Sequence, residues 1–264
     1  MIVWLASYPR SGNTFFRIIL KHAFSQKTFS VYDDPMLDKL GISGTVGHEH
    51  LPDSLDALRE SKEIYFVKTH ECASDDSPAI FLIRDGRDAL VSHTKYQLSF
   101  RGKQSIFASR RRRDLEHTLE KLIHTKPQFG GWSKNANSWV DRPDARTAVV
   151  SFEALIASPQ QEAEKALAHL GIDLSRAVGS EIPNFAALQQ QSAEFFRKGK
   201  VGSWRDEMPP HLHELFWQHH GATMERFGYG SAEANSVCSG ISSSFAPAAF
   251  LSSPAYLVAL ASMT

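Results

Sequence analysis

Four short runs of the chain are apolar almost without interruption: Ile2 to Ala6, Ile64 to Val67, Ala79 to Ile83 and Ala148 to Val150. Runs of this length that do not alternate with polar residues predict strands buried on both faces, as in a parallel sheet. Around them the apolar positions recur at helical spacing, over Thr14 to Phe24, Asp53 to Glu60, Arg87 to Gln97, Arg113 to His124, Gln160 to Leu170 and His211 to Phe227. Gly171 and Gly228 close the fifth and the last of these helices. Strands alternating with helices predict an α/β fold, a three-layer sandwich around a central parallel sheet, with ligands taken at the carboxyl ends of the strands. Residues 98–132 are the least regular part of the body, and from Ser231 onward the composition shifts toward Ser and Ala. The organisation expected is one domain over 1–230 and a tail, 231–264, whose structure the pattern leaves open.

Three strand ends carry unusual residues. The first run is followed by SYPRSGNT, Ser7 to Thr14; the second by Lys68, Thr69 and His70; the third by Arg84 and Asp85. SYPRSGNT has two readings. A helix start offers unpaired N–H groups and a positive dipole end to a phosphate, and Gly12 lets the backbone come close to it. Equally, Pro9 and Gly12 punctuate an ordinary strand-to-helix turn, with Asn13 or Thr14 as the cap.

Composition bounds the ligand. The 264 residues are 42% hydrophobic and 22% charged, enough for a sizeable core, and 29 Lys+Arg against 29 Asp+Glu leave a formal net charge of zero. A nucleic-acid partner is not expected from that balance, so any anion site is a local cluster. Cys72 and Cys238 are the two cysteines, far apart, and give neither a disulfide framework nor a zinc site, which favours a reducing cytoplasm. No basic region followed by a long apolar stretch opens the sequence, so no secretory signal is expected. The apolar stretch 245–261 is broken by Pro247 and Pro254, whereas a membrane span takes roughly 20 apolar residues.

Two further stretches bear on an anion. In IRDGRDALVS, Ser92 stands eight residues after Arg84, about two helical turns along, so that guanidinium and hydroxyl can converge on one anion. The alternative pairs Arg84 with Asp88 or Asp85 and leaves Ser92 as a helix filler. In RKGKVGSW, Arg197, Lys198 and Lys200 surround Gly199 in a compact basic loop. The run Arg110 to Arg113 reads as a solvated helix face or loop, with an anionic substrate or surface as the other option.

Taken together and in order, these segments resemble those of sulfotransferases that use 3'-phosphoadenosine 5'-phosphosulfate (PAPS) as donor. SYPRSGNT is similar to the family's phosphosulfate loop YPKSGTTW, VKTH at Val67 to His70 to its KTH, and IRDGRDALVS to its 3'-phosphate motif. RKGKVGSW resembles the late RKGxxGxW loop, SFEAL at Ser151 to Leu155 the YEDL segment, and GGWSKNANSW the GSWxxHVxxW segment. The resemblance covers roughly residues 1 to 229. It implies a P-loop-like nucleotide-binding architecture, no obligatory metal, and His70 as the base that takes the acceptor's proton. Lys68, on the same strand face as His70, and Arg10 are implied to stabilise the sulfonate and the leaving group; a salt bridge across the site is the other reading of Lys68. Donor contacts are implied for Arg10, Ser11, Gly12, Asn13, Thr14 and Phe15, for Arg84 and Ser92, for Phe152, and for Arg197, Lys198 and Gly199.

Departures are informative. Arg10 stands where lysine is common; it keeps the cation but cannot yield a proton at ordinary pH. Asn13 replaces threonine, Phe15 tryptophan, and Phe152 the tyrosine of YEDL. The alternatives are an ATP- or GTP-dependent P-loop kinase or NTPase, against which the absent GxxxxGK[ST] pattern speaks, and a catalytically silent nucleotide-binding protein, against which His70 and Lys68 speak. The expected acceptor is a small molecule, a lipid or a glycan. Residues 30–51 and 98–132, with Tyr32, Phe100, Phe107 and Phe129 among them, are expected to line its pocket.

Overall fold

The computed structural model describes residues 1–100, 108–124, 128–175, 181–192, 196 and 199–230. Phe107, Arg197, Lys198, the side chain of Phe100 and the tail 231–264 lie outside the described residues. The chain divides into a compact unit, Met1–Tyr229, and a second unit, Gly230–Thr264, of which Gly230 alone is described.

Strands β1 (Ile2–Ser7), β2 (Thr28–Ser30), β3 (Tyr65–Thr69), β4 (Ala79–Ile83) and β5 (Thr147–Ser151) form one sheet in the order β2-β3-β1-β4-β5, each neighbouring pair parallel. The helices are α1 (Asn13–Phe24), α2 (Pro35–Lys39), α3 (Ser43–Val46), α4 (Leu55–Glu60), α5 (Gly86–Phe100), α6 (Ala108–His124), α7 (Trp132–Val140), α8 (Phe152–Ala157), α9 (Pro159–His169), α10 (Phe185–Gln191), α11 (Trp204–Glu207) and α12 (Pro210–Arg226). Alternation along β1 makes the three layers. Val3 and Leu5 face a core with Phe16 and Ile19 of α1, Leu155 of α8 and Leu167 of α9. Ile2, Trp4 and Ala6 face the other, with Leu90 of α5, Trp132 of α7 and Phe216 of α12.

The α/β sandwich is as the pattern predicts, with local differences that have physical reasons. β1 and β4 are buried throughout, as inner strands must be. β5 is an edge of the described sheet, and its expected burial on both faces does not hold: Ala148 and Val150 are buried while Val149 is 47% exposed. β2, three residues long and containing two polar ones, has no apolar run to announce it. The described residues of 98–132 are more regular than expected. α5 continues to Phe100, and α6 begins at Ala108, five residues before the predicted Arg113, so the arginine run is a solvated helix face with all four side chains exposed. Short helices α4 and α8 start where Ser54 and Ser151 accept from the N–H groups of Ala57 (3.3 Å) and Ala154 (3.1 Å).

Candidate active site

The carboxyl ends of β1, β3, β4 and β5 open on one cavity of about 310 Å³. From β1 the chain turns through Tyr8 to Gly12 into α1, and the turn is tight: Arg10 has φ 69° and Gly12 φ 99°. Both angles lie in the left-handed region, costly for arginine and free for glycine. A Cβ at Gly12 would also stand 2.8 Å from Cδ2 of Phe152. Glycine is therefore demanded here by packing as well as by any ligand. Arg10, Gly12, Asn13, Thr14 and Phe15 line the cavity. The Asn13 amide is turned inward, donating to the Leu5 carbonyl (2.8 Å) and the Ser7 hydroxyl (3.2 Å), so what it offers outward is its backbone N–H. Ser11 is fully buried and its Oγ has no hydrogen-bond partner among the described residues.

β3 contributes Lys68, and His70 follows it. Nδ1 of His70 lies 2.8 Å from the Ser7 carbonyl, an acceptor only, so Nδ1 carries the ring proton and Nε2 keeps a lone pair. The ring stacks on Tyr32 (centroids 5.8 Å apart) and meets Phe129 edge-on (5.6 Å). The His70 N–H donates to the Tyr32 hydroxyl at 2.9 Å, and Asn135 of α7 donates to the His70 carbonyl at 2.8 Å. Burial first, then the Lys68 charge, pushes the imidazole down to about 3, the Ser7 carbonyl and Asp34 opposing, so the ring is neutral. Lys68 forms the salt bridge that was its second sequence reading: Nζ lies 3.0 and 2.9 Å from the two oxygens of Asp34.

β4 delivers Arg84. Its guanidinium donates to the Arg10 carbonyl (3.2 Å) and the Lys200 carbonyl (3.0 Å), stacks over Phe152 (4.4 Å), and stands 3.8 Å from Asp88. Asp85 pairs with Arg87 instead, at 2.7 Å. Nε of Arg84 is buried without a partner among the described residues. Burial holds the Arg84 pKa below its ordinary value, Asp88 and Glu153 opposing. Ser92, on α5, accepts from Nε of Arg10 at 3.3 Å. Phe152 begins α8 after β5, and Phe196, Gly199, Lys200 and Ser203 bring the late loop to the same cavity. The loop is tied to α5 by Asp88, whose carboxylate accepts from the N–H of Gly202 (2.7 Å), the N–H of Trp204 (2.8 Å) and the Ser203 hydroxyl (3.1 Å).

Of the residues singled out in the sequence, Arg10, Gly12, Asn13, Thr14, Phe15, Lys68, His70, Arg84, Ser92, Phe152 and Gly199 share this cavity; Ser11 lies buried beneath the turn. Tyr32 and Phe129 line it too. Asp34 lies in the stretch 30–51 expected to line the pocket but was not singled out, and His93, Lys95, Tyr96 and Glu207, which line the same space, were not marked. Their only signal was proximity in the chain: Asp34 to Tyr32, and the α5 residues to Ser92 at helical spacing. The partnerless Arg84 Nε, with the N–H groups at the start of α1, suits an anion of several charges. Among the described residues no group of three or more His, Cys, Asp or Glu is placed to hold a metal ion, and no helix is long and apolar enough to cross a membrane.

A family model of the sulfotransferase domain matches residues 2–228. Rat sulfotransferase 1E1 is 20% identical over 250 residues, covering 84% of this chain and 82% of the relative, and mouse sulfotransferase 4A1 is 24% identical over 234 residues, covering 81% and 77%. Among solved structures, mouse sulfotransferase SULT7A1 complexed with PAP is similar at a TM-score of 0.58 and 19% identity, covering 85% of this chain and 87% of that one. Retinol dehydratase in complex with androsterone and inactive cofactor PAP gives 0.57 and 20%, covering 85% and 80%. At such identities the likeness of structures establishes the fold. The match that spans residues 2–228, and so every strand end around the cavity, makes the chain a member of the sulfotransferase domain family and a PAPS-dependent transferase.

Proposed function

We propose that the chain transfers a sulfuryl group from PAPS to a hydroxyl or amine of a small-molecule, lipid or glycan acceptor, with His70 as general base. The observation that carries this reading is the 2.8 Å contact of His70 Nδ1 with the Ser7 carbonyl. It fixes the tautomer whose Nε2 can accept a proton, on a residue that lines the cavity. When bound, PAPS supplies an activated sulfuryl group on a leaving phosphate. The chain's own part is positioning and electrostatics. Arg10 and Lys68 stabilise charge on the sulfonate and leaving oxygen, while the N–H groups from Gly12 to Phe15 and the Ser11 hydroxyl hold the 5' end of the donor. Arg84 and Ser92 hold the 3'-phosphate, joined by Gly199 and by Arg197 and Lys198, and Phe152 contributes an aromatic face to the adenine side. As drawn, neither binding nor transfer asks for a metal. A cytoplasmic setting accords with the free thiol of Cys72.

Titration calorimetry with adenosine 3',5'-bisphosphate and with ATP, both without magnesium, separates this reading from a P-loop kinase: the bisphosphate is expected to bind and ATP to bind far more weakly. A panel of phenols, aliphatic alcohols, amines, lipid head groups and sugars, incubated with labelled PAPS and read for the mass of one sulfonate, identifies the acceptor. Preference for ATP, or no transfer to any class, overturns the reading.

A further inference from the structure

Asp34 precedes Pro35 at the start of α2, yet its side chain does not cap that helix. Its carboxylate lies between two cations. On one side is Arg17 of α1, fully buried, with Nη1 3.5 Å from Oδ2 and with its Nε and Nη2 held by Thr28 Oγ1 (2.9 Å) and His48 Nδ1 (2.9 Å). On the other is Lys68, gripped through both carboxylate oxygens. The tighter contact is with the cation that lines the cavity, and the looser one with the cation buried behind. A bridge serving only to neutralise Arg17 would show the reverse.

We propose that Asp34 is the positioning residue for Lys68, holding its ammonium against the Arg17 backstop so that its remaining N–H donors face a sulfonate oxygen beside His70. The inference rests on the functional reading above and extends it to a residue that the sequence did not single out. Lysine is a point charge on a four-carbon stem with three rotatable donors, so an ammonium with no anchor samples many positions. Both Asp34 oxygens lie on one side of the ammonium, and the Tyr32 ring, 5.5 Å from Nζ, bounds another. Groups fixed before the reaction stabilise developing charge without reorganising. The same carboxylate joins the end of β3 to the segment carrying Tyr32, Met36 and Leu37, all on the cavity wall, so the charge that meets the donor is set by the wall that meets the acceptor.

The test is a double-variant cycle read by calorimetry without acceptor, using PAPS and adenosine 3',5'-bisphosphate, which lacks the sulfonate. Lys68→Met and Asp34→Asn should each weaken PAPS relative to the bisphosphate, and the double variant should lose no more than Lys68→Met alone. Asp34→Asn leaves Arg17 without its carboxylate and risks the fold, so Asp34→Glu is run beside it. That change keeps the charge but displaces Lys68, and should lower kcat by about tenfold to a hundredfold while the bisphosphate binds as before. Unchanged nucleotide preference with unchanged kcat overturns the inference, as does additive loss. Tighter PAPS binding in Asp34→Asn also overturns it, because Asp34 would then compete with the donor. If the unaltered protein neither binds the bisphosphate nor transfers a sulfuryl group, the functional reading itself fails and this inference falls with it.

Discussion

Nε of Arg10 donates to Oγ of Ser92 at 3.3 Å, a contact between residues 82 apart in the chain. It joins the turn after β1 to the second turn of α5. The Arg10 guanidinium also lies 4.9 Å from the Tyr96 ring, one helical turn further on, and its carbonyl accepts from Arg84. Two stretches that the sequence suggested as separate anion sites are thus one hydrogen-bonded unit.

The unit predicts a selective defect. Arg84→Ala should weaken adenosine 3',5'-bisphosphate by about tenfold to a hundredfold, since a charge-assisted bond contributes about 1.5–3 kcal/mol. Ser92→Ala, losing one uncharged hydroxyl donor where Arg84→Ala loses a cation with several, should weaken it less. Adenosine 5'-monophosphate should be affected little by either change. Calorimetry with the two nucleotides decides the point, and equal losses for both would remove the 3'-phosphate from this place.

His70 gives a second prediction. His70→Ala should cost roughly a hundredfold to ten-thousandfold in turnover, the usual worth of a general base, with bisphosphate affinity nearly unchanged. A variant that keeps most of the rate contradicts the assignment. The imidazole, held at about 3, has Lys68 as the second cause of its depression after burial. An anionic nucleotide in the same cavity should therefore move its pKa upward. An NMR titration of the His70 ring with and without the bisphosphate reads this directly; a downward shift would place the phosphates far from the ring.

How much of this was legible follows from how each element declares itself. β1 and β4 are inner strands, so nearly every position is apolar and their ends could be read to within a residue. The groups at those ends, Arg10 and Arg84, and Lys68 and His70 at the end of β3, follow from the rule that such sheets take ligands at the carboxyl ends. Asp34 fell in a stretch expected to line the pocket, but its role was hidden because it depends on Arg17 and Lys68, which are brought to it by α1 and β3 and leave no local pattern. Asn135 stands in GGWSKNANSW, a stretch marked by resemblance, but neither its helix nor its role was read: its amide fastens the His70 and Phe129 carbonyls at 2.8 and 3.3 Å. The arginine run was read as a solvated face, and only the start of its helix at Ala108 was missed, since a solvated helical turn has no apolar rhythm to mark where it begins.

Asp88 leads to a third prediction. One buried carboxylate accepts two backbone N–H groups and a hydroxyl of the late loop, so the loop has an anchored part at Gly202, Ser203 and Trp204. Hydrogen exchange should find Gly202 and Trp204 protected with or without nucleotide, whereas Gly199 and Lys200 gain protection when the bisphosphate is added. Asp88→Asn replaces one acceptor oxygen with a donor and should release Gly202 or Trp204 to faster exchange. Uniform protection from Gly199 to Trp204 in the free protein would mean a fixed element with no closing step.

The last prediction concerns acid. His220 of α12 is buried against Trp132 and Phe216, with Nδ1 2.7 Å from the Ser133 hydroxyl. Burial and then the neighbouring His219 push its pKa down to about 4, a contact with the Ile123 backbone opposing; burial and then Arg10 do the same to His93. In the unfolded chain a histidine titrates near about 6.5. Between that value and 4 the unfolded state holds a proton that the folded state does not, so stability rises with pH across this window. The contribution is complete above the unfolded pKa and is lost as pH falls toward 4. The melting temperature should therefore drop between pH 7 and pH 5, and His220→Phe, which keeps an aromatic ring but cannot titrate, should flatten the slope while costing some stability at pH 7 through the stranded Ser133 hydroxyl. An acid slope unchanged in the variant would mean that His220 takes up its proton in the folded protein as readily as in the unfolded one, and that the acid sensitivity arises elsewhere.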